Sequence, residues 1–267
     1  MYKAVFIDMD GTLLRKDHTI SEVTKKAIRQ LLDQGIIVVP ISARPLHGIL
    51  PITVNVFPET MPVVSLNGSY IFHSTEIVHQ VDIALPHAIS IHNELAGIDV
   101  AAMYYGQMDW YASVDRAEIK KEQKITDVKI TIQPFEQSLA IWEAAKSGPN
   151  KILIAGDKEL IIEIEQKLLL LHEGELNIYK SQPRYLEVMH LQASKTKAIE
   201  FLIKKYGILQ SEIIAIGDNY NDVGMIEFAG VGVAMGNAPD EIKQVADYVT
   251  DTNNNDGVAK ALAHFFN

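Results

Sequence analysis

Lys3-Ala4-Val5-Phe6-Ile7-Asp8-Met9-Asp10-Gly11-Thr12 begins as an apolar, β-prone run and stops at an acidic turn. A run of this kind reads as a buried strand ending in a loop, and the C-terminal end of such a strand is where open parallel sheets place their ligands. Alternation along extended backbone points Asp8 and Asp10 the same way, while Gly11 permits the sharp turn that follows. Two carboxylates converging on one small volume repel unless a cation or a proton relieves them. The plain alternative is a polar loop leaving a strand, or an isolated calcium-like loop.

Outward from this strand, Val23, Ala27, Ile28 and Leu31 recur at helical spacing, Thr19 or Ser21 can cap the start, and Gly35 follows the end. Ile36 to Ile41 is a second near-continuous apolar strand, so the opening reads as strand, helix, strand, a parallel and right-handed βαβ unit. Val63 to Leu66 and Tyr70 to Phe72 flank Asn67-Gly68, a pair favoured in tight hairpin turns. From about residue 82 to 185 the pattern changes to helices alternating with short strands, namely Val100 to Tyr105, Lys129 to Ile132 and Lys151 to Ala155. Asp157 is placed to cap a helix carrying Ile161, Ile164, Leu168 and Leu171 on one face. The βα alternation then resumes, with Tyr185 to Met189 as strand, Lys195 to Tyr206 as helix and Ile213 to Ile216 as strand. Pro239 can open a later helix, and a final one follows the polar turn at Asn253 to Gly257. The expected organisation is an outer α/β domain of residues 1–82 and 186–267, interrupted by an inserted α/β unit over 83–185.

Gly217-Asp218-Asn219-Tyr220-Asn221-Asp222 repeats the acidic strand end far away in sequence. If both strands are central in one parallel sheet, the two acidic turns meet at the same edge and can share one ion. Mg²⁺ suits such oxygen ligands and keeps several waters, leaving a position for a phosphate oxygen. Against this stands a helix start merely rich in capping Asp and Asn. Ser42-Ala43-Arg44 follows the second strand and offers a hydroxyl and backbone N–H groups for a phosphate. Lys195 lies where its ammonium could neutralise a phosphoryl oxygen, although a lone lysine is more often solvated surface.

Composition narrows the partners. The 267 residues are 48% hydrophobic and 22% charged, enough apolar material for a sizeable core, and length alone suggests two domains. The formal charge of −10 argues against nucleic acid or an anionic membrane as partner. No cysteine is present, so disulfides, thiolate metal sites and a cysteine nucleophile are excluded. No apolar run approaches the roughly 20 residues that span a bilayer, and Asp8 and Asp10 interrupt the first apolar stretch, so a cytoplasmic location is expected. Gly230, Gly232 and Gly236 have the wrong spacing for a dinucleotide loop. The nine histidines form no short metal-binding cluster, and Tyr104, Tyr105, Trp110 and Tyr111 read as an aromatic sheet face.

Taken together, Asp8-Met9-Asp10-Gly11-Thr12, Ser42, Ala193-Ser194-Lys195 and the run Gly217 to Asp222 resemble the haloacid dehalogenase-like (HAD) superfamily, and within it the Cof-type, class IIB phosphatases. The resemblance spans essentially the whole chain. It implies a Rossmannoid core with a mainly parallel sheet and an inserted α/β cap of the C2B type. It also implies Mg²⁺-dependent hydrolysis of a small phosphorylated metabolite by a monomer or homodimer. Position by position, Asp8 becomes the nucleophile and Asp10 the general acid and base. Asp8, Asp10 (through its carbonyl) and Asp218 hold the metal, with Asn221 and Asp222 behind them. Ser42, Ala43, Lys195 and Asn221 cradle phosphate, and Arg44 and Asn67 are candidate substrate contacts. Two departures stand out: Ser42-Ala43-Arg44 replaces the commoner Thr-Gly-Arg, and Thr196 stands where glycine is frequent. Ser keeps the hydroxyl and Ala43 keeps its N–H, so no donor is lost. A non-catalytic phosphometabolite binder, and a mutase or transferase using the same aspartyl phosphate, are the rival functions.

Overall fold

The computed structural model describes residues 1–106, 109–126 and 128–266. Two compact units emerge. One comprises residues 1–43, 49–78 and 194–267, and the other residues 44–48 and 79–193.

The first unit is built on an eight-stranded sheet in the order Tyr248–Val249, Val231–Ala234, Ile213–Gly217, Ala4–Asp8, Ile37–Ile41, Val63–Ser65, Tyr70–His73, Glu76–Gln80. The first six strands run parallel, and Val63–Ser65 pairs antiparallel with Tyr70–His73. Every residue of Ala4–Asp8 is buried, because a parallel strand in mid-sheet is covered on both faces, which is why it reads as a continuous apolar run. On one face Ala4, Phe6, Val39, Ile41, Ile213 and Ala215 pack with Ala198, Ile199 and Leu202 of the helix Lys195–Tyr206. The expected first helix is Glu22–Asp33, capped by Ser21, whose Oγ accepts from the Thr24 N–H at 3.1 Å. The Asn67-Gly68 hairpin is also present, although its connection is a short 3₁₀ turn over Leu66–Gly68 in which Leu66, Asn67 and Gly68 all have positive φ.

The second unit has a six-stranded sheet in the order Leu176–Gln182, Tyr185–His190, Lys151–Ala155, Ala101–Tyr105, Trp110–Ala112, Thr131–Ile132. Tyr104, Ile152, Ile154, Ile178, Leu186 and Val188 form its core with Ala88, Ile91, Phe135, Trp142, Ile161 and Leu168 from three helices. Tyr104 and Tyr111 lie in this core beside Trp142, and Tyr105 stacks on Trp110 at 4.8 Å, so the aromatic sheet face is packing.

Three local expectations need correction. Tyr185–His190 does not return to the first sheet at residue 186; it pairs antiparallel with Leu176–Gln182 and with Lys151–Ala155. Apolar alternation marks a strand without naming its neighbours, and here a short turn after Gln182 folds it back as a hairpin. Asp157 precedes its helix but makes no capping bond, because its carboxylate pairs with Arg184 at 2.6 Å instead. The strand expected over Lys129 to Ile132 shrinks to Thr131–Ile132.

Candidate active site

Strand register gathers the chemistry at one sheet edge. Asp8 pairs with Ile41, Ile7 with Ile216, and Gly217 with Ala234. The residues just beyond these strand ends are therefore Met9 and Asp10, Ser42, Asp218, and the stretch leading to Asn237. Two segments 210 residues apart in sequence thus supply adjacent carboxylates.

Asp8 is 5% exposed, Lys195 1% and Asp222 0%. The Lys195 ammonium donates to Asp8 Oδ1 and to Asp222 Oδ1, each at 2.5 Å. The other oxygen of Asp222 accepts the backbone N–H groups of Asp218 and Asn219, each at 3.0 Å. Asp222 is thereby committed on both oxygens and fixes the turn that carries Asp218. Thr12 Oγ1 donates to Asp218 Oδ1 at 3.0 Å, and the Asn237 amide donates to Asp218 Oδ2 at 3.2 Å and to the Gly11 carbonyl at 2.9 Å.

Two glycines are required by this closeness. Gly11 has φ +85°, and a Cβ there would lie 2.3 Å from Asp218 Oδ2. Gly68 has φ +97°, and a Cβ there would lie 2.1 Å from the Ser194 carbonyl oxygen and 3.2 Å from the Lys195 nitrogen. The hairpin therefore presses backbone to backbone against the helix start that delivers Lys195.

The charges are in tension. Burial first, and then the Asp222 and Asp218 carboxylates, push Asp8 well above the ordinary carboxylate range, while Lys195 works the other way. Burial and the Asp222 charge push Asp218 up to about 6, with the Thr12 hydrogen bond opposing. Burial also disfavours the charge on Lys195, yet Asp222 and Asp8 outweigh it and raise its pKa, so the ammonium stays protonated. One buried cation faces three carboxylates. Ligating oxygens of Asp8, Asp218 and Asp222 lie within 4.8 Å of one another. A set of hard oxygen donors with an excess of negative charge fits an oxygen-seeking divalent cation such as Mg²⁺.

The Asp10 carboxylate lies outside that trio, is about half exposed, and stands 3.9 Å from His18 Nδ1; its charge nonetheless acts on Asp218. Ser42 is buried at the end of Ile37–Ile41, and its carbonyl accepts the Asn67 N–H at 2.9 Å. Asn221 donates to Asn67 Oδ1 at 3.1 Å, so both belong to the same edge. Ala43 closes a segment of the first unit, whereas Arg44, also buried, groups with the second.

Sequence reading gave no role to Thr12 and overlooked Asn237. Asn237 lies three residues beyond Val231–Ala234, the next strand along the same edge, so asking what leaves every neighbouring strand end would have found it.

Residues 5–262 match the haloacid dehalogenase-like hydrolases. A Haemophilus influenzae protein carrying a provisional phosphatase name is 42% identical over 271 residues, covering 100% of this chain and 99% of its own length. The 5-amino-6-(5-phospho-D-ribitylamino)uracil phosphatase YcsE of Bacillus subtilis is 33% identical, over 98% of this chain and 95% of its own. Among solved structures, a haloacid dehalogenase-like hydrolase from Bacteroides thetaiotaomicron superposes with a TM-score of 0.91 at 30% identity over the whole of both chains. The HAD subclass IIB sugar phosphatase BT4131 does so with 0.84 at 25% identity over 98% of each.

Proposed function

The chain belongs to the haloacid dehalogenase-like hydrolases, and we propose that it is a Mg²⁺-dependent phosphatase acting on a small phosphorylated metabolite through a phosphorylated Asp8. The observation that carries this reading is the buried Lys195 ammonium held between Asp8 and Asp222, with Asp218 close enough to share a cation with Asp8. A structural ion pair would need one carboxylate per lysine. Three carboxylates around one lysine leave a negative excess that a second cation offsets, which also lowers the repulsion toward an anionic phosphoryl group.

In the forward step an Asp8 oxygen attacks phosphorus, and the bond from phosphorus to the substrate alkoxide breaks as Asp10 gives the alkoxide a proton. Asp10, now ionised, takes a proton from water. That water oxygen bonds to phosphorus and expels the Asp8 carboxylate, releasing inorganic phosphate. Partial exposure of Asp10 suits a group that must meet both leaving group and water. Lys195 holds the Asp8 carboxylate in place and screens it from Asp222. Asp8, Asp218 and the Asp10 carbonyl would hold Mg²⁺, which offsets charge on the transferring group when bound. Ser42 and the Ala43 N–H, with Asn221, supply donors for the phosphate oxygens, and Asn67 orients Asn221.

YcsE and BT4131 are named for substrates that carry phosphate on a ribityl chain or a sugar. We extend that class to this chain, a phosphate monoester on a polyhydroxylated carbon skeleton, with the second unit selecting the rest of the molecule.

Replacing Asp8 by Asn removes the nucleophile at nearly constant volume. Turnover of a generic aryl phosphate in Mg²⁺ is expected to fall by roughly 10³-fold or more, with the circular dichroism spectrum unchanged. Turnover close to that of the parent would rule the mechanism out. Among sugar and ribityl phosphates, a uniform lack of phosphate release alongside good aryl phosphate turnover would rule out the substrate class alone.

A further inference from the structure

We propose that His87, His172 and Glu175 form a second metal site, within the 44–48 and 79–193 unit, that takes Zn²⁺ or a similar nitrogen-preferring divalent ion. His87 lies in the first turn of the helix Leu85–Glu94, and His172 ends the helix Lys158–Leu171. Eighty-five residues separate them, so no spacing motif announces the pair. Their Nδ1 atoms face each other at 3.1 Å. Two imidazole nitrogens that close are held either by one shared proton or by one shared ion, since two protonated nitrogens would repel.

Three observations favour the ion. Bonds of about 2.0–2.1 Å at near-tetrahedral angles put two zinc-bound nitrogens about 3.3 Å apart, close to the separation seen. Glu175 adds a carboxylate, and one ligating atom from each of the three residues lies within 4.8 Å of the others. Glu175 Oε2 stands 3.6 Å from His87 Nε2, the other ring nitrogen of that histidine, so a short swing of the glutamate completes the set at Nδ1. The far side of His172 is also engaged: its Nε2 faces Ser90 Oγ at 3.5 Å, leaving Nδ1 as the nitrogen turned toward His87.

Two imidazoles and one carboxylate suit zinc, cobalt or nickel rather than Mg²⁺, which prefers oxygen throughout. The Glu175 side chain is 57% exposed, so it can swing to the ion and leave a fourth position for water. The ion would tie the start of one helix to the end of another and raise the unit's stability by mass action.

The test uses the full-length, tag-free chain carrying Asp218→Asn, which weakens metal binding at the carboxylate cluster, in excess Mg²⁺. Calorimetric titration with Zn²⁺ should show one ion per chain, together with a higher Tm. His87→Gln and Glu175→Gln, both at accessible side chains, should each weaken that binding about 10-fold or more without changing the circular dichroism spectrum. Absence of Zn²⁺ binding in the Asp218→Asn chain, or unchanged affinity in either further variant, overturns the proposal.

Discussion

Asn237 touches Asp218 Oδ2 and the Gly11 carbonyl at once, so it ties together the two turns that face each other across the site. It reaches no reacting atom in the proposed chemistry and acts by fixing the Asp218 carboxylate. Its own oxygen accepts the Asn253 N–H at 3.0 Å, which settles which way the amide points. Asn237→Ala is therefore expected to raise the Mg²⁺ concentration for half-maximal activity about 10-fold, with kcat at saturating Mg²⁺ near that of the parent. Phosphate release measured across a Mg²⁺ series checks this, and a loss of kcat with an unchanged Mg²⁺ requirement would contradict it. Thr12, on the other oxygen of Asp218, belongs to the same scaffold.

The helix Lys195–Tyr206 has two duties: its apolar face completes the core on one side of the first sheet, and its first residue delivers the buried ammonium. Its start is fixed by Ser194, whose Oγ accepts the Lys197 N–H at 3.1 Å, and its end by Gly207 in the left-handed region at φ +65°. Ser194→Ala should cost about 1 kcal/mol in urea unfolding, and Ser194→Asp should restore most of it. Because the cap also sets the position of Lys195, the alanine variant should lose activity beyond what its residual stability explains. Equal activity per folded molecule would show that Gly68 packing alone positions the lysine.

For the whole molecule, the carboxylate cluster links stability to pH and to metal. The Asp218 pKa rises from an ordinary 3.8 to about 6 on folding. Between those values the folded chain keeps a proton that the unfolded chain has lost, so this group's contribution to stability falls as pH rises through that window. Asp8 shifts in the same direction. A divalent cation supplies the missing positive charge and removes the penalty. The Tm gain on adding Mg²⁺ is thus expected to be small near pH 4.5 and to grow as pH rises through 6, read as the difference between scans in Mg²⁺ and in chelator. A gain independent of pH would mean that these carboxylates do not bind the ion.

The sequence alone determined the central strands of the first unit, its helices Glu22–Asp33 and Lys195–Tyr206, and the acidic residues at its strand ends, but not Glu76–Gln80, Val223–Phe228 or Tyr248–Val249. Continuous apolar runs, caps and acidic strand ends are local signals, and Asp8, Asp218 and Lys195 each sit on one. Only tertiary structure decided what those signals meet. Strand partnership put Tyr185–His190 in the second sheet, and register set Asn237 beside Asp218. The same long-range packing brought His87 to His172. Periodicity records which face of an element is buried, but the identity of the neighbour on that face depends on packing between segments far apart in the chain.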